Sequence, residues 1–422
     1  MQYTADLTKN KKSADGSILG KVADFQKELA QHEKACLNVY VKPELTTPCD
    51  RVVRVRNRFT GLEEQKIMFG SNSYLCASNM ERAKSVNARV VAEYGIGSGG
   101  VPLLSGTTSF QNILEHKISR LTGFGDTMLF SSGYTANLGA ITGLLRPNHL
   151  IIHDKLNHAS LLDATALSGA RMARFRHADM KDLEKVLSEY ADEYAGRLIV
   201  ATDGVFSMDG DIANIPEILA LVRKYNALLL IDDAHAIGVI GHHGAGTLSH
   251  YDITERDNII VTGTLSKALG TLGGYVSASK EIIDYLRIYA RSNMFSTSLP
   301  QGVCAAASEV LDVIGETDVT DRLKANAEYL NRALVAAGFN TLSTQTPIIP
   351  VVVGDPGLLT QMVQDAFDEG YVVSGIYPPA VPPRLTRFRI SVMASHTHED
   401  MDALVELLIK LYDKYELQHY IG

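Results

Sequence analysis

Long apolar runs alternate with amphipathic segments through the middle of the chain. Four runs have the continuous apolar pattern of buried strands and end in polar residues; they begin at Leu150, Arg197, Ala227 and Asn258. The segments between them carry apolar residues three and four positions apart, which predicts helices. Continuous apolar strands alternating with helices are typical of a mostly parallel sheet covered by helices on both faces. The pattern therefore predicts an α/β fold.

The two ends of the chain show other patterns. Leu19, Val22, Phe25 and Leu29 recur at helical spacing and predict a helix up to about Cys36, behind a polar arm. Short strands are predicted over 51–56 and 65–69, helices over 81–94 and 110–121, and a strand, turn and helix over 127–137. The last part predicts helices over 320–337 and 357–369, strands near Thr341 and over 348–353, 371–373 and 388–392, and a final helix. We expect an N-terminal arm and helix (1–60), a large α/β domain (61–314) and a small C-terminal α+β domain (315–422).

Composition narrows the function. The net charge is −8 and no run of Lys or Arg occurs, which argues against a nucleic-acid partner. No stretch reaches the roughly 18 apolar residues of a membrane span. The four cysteines lack metal or redox spacing, so we expect reduced thiols in a cytoplasmic protein. They are Cys36, Cys49, Cys76 and Cys304.

One stretch combines the pattern of a buried strand with a lysine. Residues 259–263 are mainly apolar and β-branched, and the chain continues through Thr264 and Ser266 to Lys267 and several glycines. An amine in such a place is partly desolvated, which lowers its pKa and makes the free amine a better nucleophile. The pattern fits a lysine that forms a Schiff base beside an anion site. An ordinary loop lysine is the alternative.

Acidic and imidazole side chains follow other predicted strands. Asp232 ends one strand, His235 comes three residues later, and His158 follows the strand that begins at Leu150. A carboxylate at a buried strand end needs a cationic partner, for which a protonated pyridine nitrogen is suitable; capping of the next helix is the alternative. The histidines could contact a flat ring or could be structural. No His-x-x-x-His or helical carboxylate pair supports a metal site.

Two glycine-containing segments could approach a ligand closely. Residues 131–137 read as the turn between a strand and a helix, where backbone N–H groups favour a phosphate. Residues 95–106 contain five glycines but end in neither the Gly-Lys-Ser/Thr of a nucleotide loop nor a clean dinucleotide fingerprint. An ordinary turn and a linker are the respective alternatives.

The order of these motifs resembles the α-oxoamine synthase family of pyridoxal-phosphate (PLP) enzymes, which have the fold-type I architecture. The matching segments run from about Asn72 to His396 and cover most of the chain. They are 71–75, 132–137, 157–160, 204–211, 232–238, 263–268, 295–300 and 387–389.

The resemblance implies a role for each residue at the cofactor. Lys267 would form the Schiff base with PLP, Asp232 would pair with its pyridine nitrogen, and His158 would stack on its ring. Ser207 and His235 would lie at the phenolic oxygen. Five residues would surround the phosphate: Gly133, Tyr134 and Thr264, with Ser296 and Thr297 from the other subunit of a homodimer. The expected catalytic residues are Lys267, His158, Asp232 and His235.

The resemblance also implies the reaction. Family members condense a small amino acid with an acyl thioester, carried by coenzyme A or a carrier protein, usually with loss of carbon dioxide. Arg389, assisted by Asn72, would bind the substrate carboxylate, a bidentate task suited to arginine. Segments 346–350, 366–370 and 393–396 favour serine palmitoyltransferase-like members.

Several alternatives stay open. Glycine C-acetyltransferase and 8-amino-7-oxononanoate synthase belong to the same family, and an aminotransferase or lyase has the same fold. The chain departs from many members at residues 99–102 and at Gln111, near the substrate. A non-catalytic partner subunit is a further alternative, although such subunits typically lack the lysine.

Overall fold

A computed structural model describes residues 16–34 and 44–417. Most of the predicted arm, and the predicted helix end at Cys36, lie outside these residues. The chain forms two compact units. The larger unit contains Ser73–Ser207 and Asp211–Arg322, and the smaller unit contains Met208–Gly210 and the described residues of Met1–Asn72 and Leu323–Gly422.

Strands and helices alternate through the larger unit, as the apolar pattern predicts, and the elements of both units are numbered together in chain order. The strands are β1 (Glu44–Leu45), β2 (Val52–Arg56), β3 (Glu63–Met68), β4 (Asp126–Phe130), β5 (Leu150–Asp154), β6 (Arg171–Phe175), β7 (Leu198–Asp203), β8 (Leu228–Asp232), β9 (Ile259–Thr264), β10 (Gly274–Ala278), β11 (Ile348–Val352), β12 (Tyr371–Val372), β13 (Ser374–Ile376) and β14 (Arg387–Ser391). The helices are α1 (Ile18–Lys34), α2 (Glu81–Tyr94), α3 (Ser109–Thr122), α4 (Gly133–Leu144), α5 (Ala159–Ser168), α6 (Met180–Tyr190), α7 (Ile215–Lys224), α8 (Thr247–His250), α9 (Lys280–Tyr289), α10 (Arg291–Met294), α11 (Gln301–Glu316), α12 (Val319–Ala336), α13 (Pro356–Asp368) and α14 (His398–Lys414). None of the helices in the described part of the chain is long and apolar enough to cross a membrane.

The sheet of the larger unit has the strand order β4-β10-β9-β8-β7-β5-β6. The pairs from β9 to β6 are parallel, whereas β10 lies antiparallel between β9 and β4. The central strands are buried almost throughout, which explains their continuous apolar runs. Ile151, Ile199, Leu230 and Ile260 pack into one core with side chains of α4 and α9. Because β5, β7, β8 and β9 run parallel, their carboxyl ends share one edge of the sheet.

The smaller unit contains two sheets. One has the order β1-β2-β3-β12 and the other the order β11-β14-β13, which is antiparallel. Its core includes Phe69, Ile349, Phe388 and Leu404. The strands β1, β2 and β3 therefore fold with the C-terminal elements. The predicted boundaries at 60/61 and 314/315 stay a prediction of the sequence.

Several elements differ from the prediction, three of them among the longer strands or the predicted ones. The strand predicted near Thr341 is wrong, because Leu342 has a φ of 54°, a left-handed conformation outside a strand. The strands β6 and β10 were not predicted. β6 lies at an edge of the sheet and is only partly buried, so its sequence lacks a strong apolar run. β10 begins at Gly274, directly after the glycines of the Lys267 loop, and the sequence pattern does not distinguish its start from that loop.

Candidate active site

The parallel strands bring most predicted residues of the larger unit to one edge of the sheet. His158 follows β5, Ser207 follows β7, and Lys267 follows β9, while Asp232 ends β8 with His235 three residues later. The ends of the strands are aligned: in the register of the sheet, Asp203 pairs with Asp232 and Asp232 with Thr262.

The amine of Lys267 lies beside His235. Lys267 Nζ is 2.8 Å from His235 Nε2, and the other ring nitrogen, Nδ1, is 2.7 Å from Tyr74 Oη. Lys267 is half-buried, whereas His235 and Tyr74 are 7% and 0% exposed. An amine that is partly removed from water and in contact with an imidazole is well placed for proton exchange and nucleophilic attack.

Both oxygens of Asp232 accept hydrogen bonds. Asn137 Nδ2 donates to Oδ2 at 2.6 Å, and the backbone N–H of Ala234 donates to Oδ1 at 3.0 Å. Asn137 Oδ1 accepts a hydrogen bond from Thr262 Oγ1 at 2.6 Å, so its partners determine the orientation of the amide. This fixed, buried carboxylate is suited to a cationic ring nitrogen.

The same amide also connects Asp232 to His158. Asn137 Nδ2 donates to Ser160 Oγ at 2.8 Å, and Ser160 Oγ is 2.7 Å from His158 Nδ1. The backbone N–H of Ser160 donates to His158 Nδ1 at 3.3 Å, so Nδ1 is an acceptor, the Ser160 hydroxyl also donates to it, and the proton of a neutral His158 is on Nε2. His158 caps α5 and is exposed, so a flat ring could stack on it.

Buried carboxyl groups lie around the same edge. Burial raises the pKa of Asp203 well above its ordinary value, Asp232 raises it further, and the charge of Lys267 opposes this. Burial also raises the pKa of Asp233 to about 7, although Thr247 donates two hydrogen bonds to that carboxylate. These shifts favour neutral carboxyl groups and so limit the negative charge at the edge. In the described ranges, no group of three or more His, Cys, Asp or Glu side chains could hold a metal ion.

The N-terminus of α4 forms a glycine-lined cup. A Cβ at Gly133 would lie 3.0 Å from Thr264 Cβ, and a Cβ at Gly274 would lie 2.3 Å from Ser132 O. The backbone segments therefore approach one another at distances that only glycine permits. The Ser132 hydroxyl accepts from the Thr135 N–H in a capping box that starts the helix. The N–H groups and the dipole at such a helix N-terminus favour an anion.

Comparison with known proteins decides the family. Residues 64–408 match the model of the family described as aminotransferase class I and II. The chain is 40% identical over 349 residues to 8-amino-7-oxononanoate synthase of Thermoanaerobacter pseudethanolicus, covering 82% of this chain and 88% of that protein. It is 39% identical over 359 residues to serine palmitoyltransferase of Sphingobacterium spiritivorum, covering 84% and 88%. The chain belongs to the α-oxoamine synthase group of this family.

The solved structures agree with this assignment. Serine palmitoyltransferase from S. paucimobilis, in a structure with bound PLP–myriocin, has a TM-score of 0.86 and 27% identity. The match covers 95% of this chain and 100% of that one. The predicted resemblance to α-oxoamine synthases and the predicted fold-type I architecture are thus confirmed.

The remaining residues predicted from the α-oxoamine synthase motifs lie in three places. Tyr134, in α4, donates from Oη to Asp163 Oδ2 at 2.6 Å. Ser296 and Thr297 follow α10; the first is half-buried and the second is exposed. Asn72 and Arg389 belong to the smaller unit, where Arg389 is buried in β14 and donates to Ser391 Oγ at 2.8 Å. The roles of these residues stay predictions.

Sequence reasoning did not single out Tyr74, Asn137 or Ser160. Each lies inside a motif that carries the resemblance, and that position was the one available signal. Their partners are far away in the sequence: Asn137 is 95 positions from Asp232, and Tyr74 is 161 positions from His235. The tertiary fold brings these pairs together, and the sequence pattern does not specify those contacts.

Proposed function

We propose that this protein is a PLP-dependent C-acyltransferase that condenses a small amino acid with an acyl thioester. The products are an α-amino ketone, carbon dioxide in the usual course, and a free thiol. One observation carries the proposal: the half-buried amine of Lys267 lies 2.8 Å from His235, at the strand edge where β8 ends in Asp232. In a member of the α-oxoamine synthase group, a partly buried amine in contact with an imidazole is suited to attach the cofactor and to exchange a proton with the substrate.

The residues of the larger unit fit the cofactor PLP. The cup at Gly133 excludes a side chain and suits the phosphate, with Tyr134 and Thr264 beside it. Asp232 is a fixed anion for the ring nitrogen, and the exposed ring of His158 is suited to stacking. When bound, PLP supplies an electron sink for the electrons left at the substrate α-carbon after proton removal.

The side chains of this chain then bind the substrate and move its proton. We assign the covalent attachment of the cofactor to Lys267, and the removal of the α-proton to the same amine once the amino acid has displaced it. His235, in contact with Nζ, keeps this amine oriented, and Ser207 and His235 would hold the phenolic oxygen of the cofactor. Arg389 would bind the substrate carboxylate with two parallel hydrogen bonds, assisted by Asn72.

We further propose a homodimer in which Ser296 and Thr297 reach the phosphate bound by the partner subunit. The exposed side chain of Thr297 and the nearby Phe295, which is 67% exposed, support such a contact.

The acyl donor is an acyl thioester of coenzyme A or of a carrier protein. The cytoplasmic location stays a prediction from the cysteine pattern.

Among the amino acids we propose serine, combined with a long acyl chain. The higher structural similarity to serine palmitoyltransferase, with a TM-score of 0.86 against 0.71 for an 8-amino-7-oxononanoate synthase, supports serine, in agreement with the motif segments that favour such members. The second candidate is alanine, since the chain is equally similar in sequence to an 8-amino-7-oxononanoate synthase.

The test measures thiol release by the purified, PLP-loaded protein. Serine, alanine and glycine are each combined with acyl-CoA of increasing chain length, and the released thiol is measured with a chromogenic disulfide. We expect the highest kcat/KM with serine and a long chain. The Lys267→Ala variant should lose the reaction and the absorbance band near the visible edge. The matched control is Lys155→Ala, which changes an exposed lysine directly after β5 and should keep both.

Each other result has a definite meaning. The highest kcat/KM with alanine would replace serine palmitoyltransferase chemistry by 8-amino-7-oxononanoate synthase chemistry. Transfer of the amino group to an oxo-acid, without thiol release, would make the protein an aminotransferase. A protein that gains no absorbance band with PLP would be a non-catalytic subunit.

A further inference from the structure

Tyr74, His235 and Lys267 form a continuous hydrogen-bonded row. Tyr74 Oη is 2.7 Å from His235 Nδ1, and His235 Nε2 is 2.8 Å from Lys267 Nζ. Both distances are within the range of strong hydrogen bonds. The tyrosine is fully buried, and its ring packs edge-on against the imidazole at a centroid distance of 6.1 Å. The imidazole is therefore held on both of its nitrogens.

The donor and acceptor properties of the row allow two arrangements. When Lys267 is a neutral amine, it can accept from Nε2–H, and Nδ1 then accepts from the Tyr74 hydroxyl. When Lys267 is an ammonium, it donates to Nε2, and the proton of the imidazole is then on Nδ1, from which it donates to the Tyr74 oxygen. His235 is neutral in both arrangements. They differ by one proton, which resides on Lys267 Nζ and exchanges with solvent.

We propose that Tyr74 is a positioning residue that couples the tautomer of His235 to the charge of Lys267. A hydroxyl can donate and accept, so Tyr74 supports whichever tautomer the lysine requires. A backbone carbonyl or a carboxylate at this place would hold Nδ1–H permanently and favour the ammonium. The inference rests on the proposed function, in which Lys267 must be unprotonated to remove a proton and protonated afterwards.

Carboxyl groups near the row bear on the charge of Lys267. Lys267 interacts electrostatically with Asp203, and Asp232 and Asp233 lie at the end of β8; burial favours the neutral form of Asp203 and Asp233. Favourable interaction with carboxylates stabilises the ammonium. If His235 Nε2 could only accept a hydrogen bond, it would stabilise the ammonium form of Lys267 further. Because His235 can change tautomer, it supports the neutral amine equally well.

The test uses NMR on the full-length chain after removal of the cofactor, so it needs no substrate. The 15N shifts of His235 report its tautomer, and the 13Cε signal of Lys267 reports its charge across a pH series. The difference from the spectrum of a Lys267→Met variant assigns the lysine signal. We expect the His235 shifts to change at the midpoint of the Lys267 titration, and this change to shrink about threefold or more in Tyr74→Phe.

The matched control is Tyr275→Phe. Tyr275 is also 0% exposed, and its hydroxyl has no hydrogen-bond partner among the described residues, so the same atom is removed without loss of a contact. In Tyr275→Phe, the change in the His235 15N shifts across the Lys267 titration should keep its wild-type amplitude. In the loaded enzyme, Tyr74→Phe should lower kcat about tenfold and shift its pH profile, with KM for the amino acid little changed.

The outcomes separate this inference from the proposed function. A His235 tautomer that does not follow Lys267 in the wild type, or that follows it equally in Tyr74→Phe, overturns the coupling, even if thiol release is observed. A coupled tautomer in a protein that releases no thiol overturns the proposed function instead. If Tyr74→Phe does not fold, the wild type is compared with Lys267→Met, in which the tautomer of His235 should stop changing over that pH range. A tautomer that changes equally in both overturns the coupling.

Discussion

The amide of Asn137 donates a hydrogen bond of 2.6 Å to Asp232, from a helix that follows a different strand of the sheet. Its second N–H bonds to Ser160, which in turn orients His158. The amide thus sets the positions of two groups that the proposed reaction places on one cofactor ring, at its edge and on its face. A single buried side chain maintains their relative geometry.

We expect Asn137→Ala to weaken PLP binding about tenfold, because Asp232 and His158 would lose their common support. The free energy of unfolding should fall by about 1–3 kcal/mol, since buried partners lose a hydrogen bond. An absorbance titration measures the Kd for PLP, and guanidinium unfolding measures stability. Asn326→Ala is the control, because Asn326 donates to Met393 O and His396 O in the smaller unit. Equal PLP affinity in the two variants would contradict the prediction.

Gly133→Ala should weaken PLP binding as well, for a steric reason. The new Cβ would lie 3.0 Å from Thr264 Cβ and 3.4 Å from Thr264 Oγ1, inside the cup proposed for the phosphate. Overpacking of this kind costs about 1–3 kcal/mol, so we expect a Kd for PLP about tenfold higher, measured by absorbance titration. In Gly315→Ala, the Cβ meets no atom within 4 Å, and the Kd should not change. Unchanged affinity in Gly133→Ala would move the phosphate away from this cup.

The strand ends could be predicted from the sequence, whereas the residues behind them could not. Asp232 and Lys267 follow long apolar runs, and because parallel strands share an edge, the pattern alone places them together. Asn137 reaches Asp232 because α4 packs across β10 and β9, the strands between β4 and β8, and β10 itself was not predicted. Short strands at sheet edges or after glycines, such as β6 and β10, carry no apolar period strong enough to be recognised.

The stability of the larger unit should depend on pH through His177. Its Nδ1 is 3.0 Å from Asp154 Oδ1 and its Nε2 is 3.1 Å from Asp211 Oδ2. Burial acts to lower the pKa of His177, but the two carboxylates outweigh burial and raise the pKa from 6.5 to about 10. A raised folded-state pKa stabilises fully below the unfolded value of 6.5, and the contribution is lost as the pH rises through about 10.

We therefore expect His177→Gln to lower the free energy of unfolding by about 2 kcal/mol near the unfolded pKa of 6.5, and by much less near the folded pKa of about 10. Guanidinium unfolding across this range measures the difference. The exposed His116 provides the control, since His116→Gln should change stability by less than about 0.5 kcal/mol at any pH. A loss for His177→Gln that stays constant with pH would show that the bridge is not ionic.

The two arginines of β14 should respond differently to substitution. Arg387 is 1% exposed and pairs with Asp209 within the smaller unit. Arg387→Met leaves this carboxylate without its cation and should lower the free energy of unfolding, measured in guanidinium, by about 3–5 kcal/mol.

Arg389, two positions along the same face of the strand, is the residue we assign to the substrate carboxylate. Arg389→Lys keeps the charge but loses the two-pronged geometry, and should weaken amino-acid binding about tenfold or more, with PLP affinity unchanged. Spectral titration with serine measures this binding, and a Kd for serine that is unchanged in Arg389→Lys would assign the carboxylate to another residue.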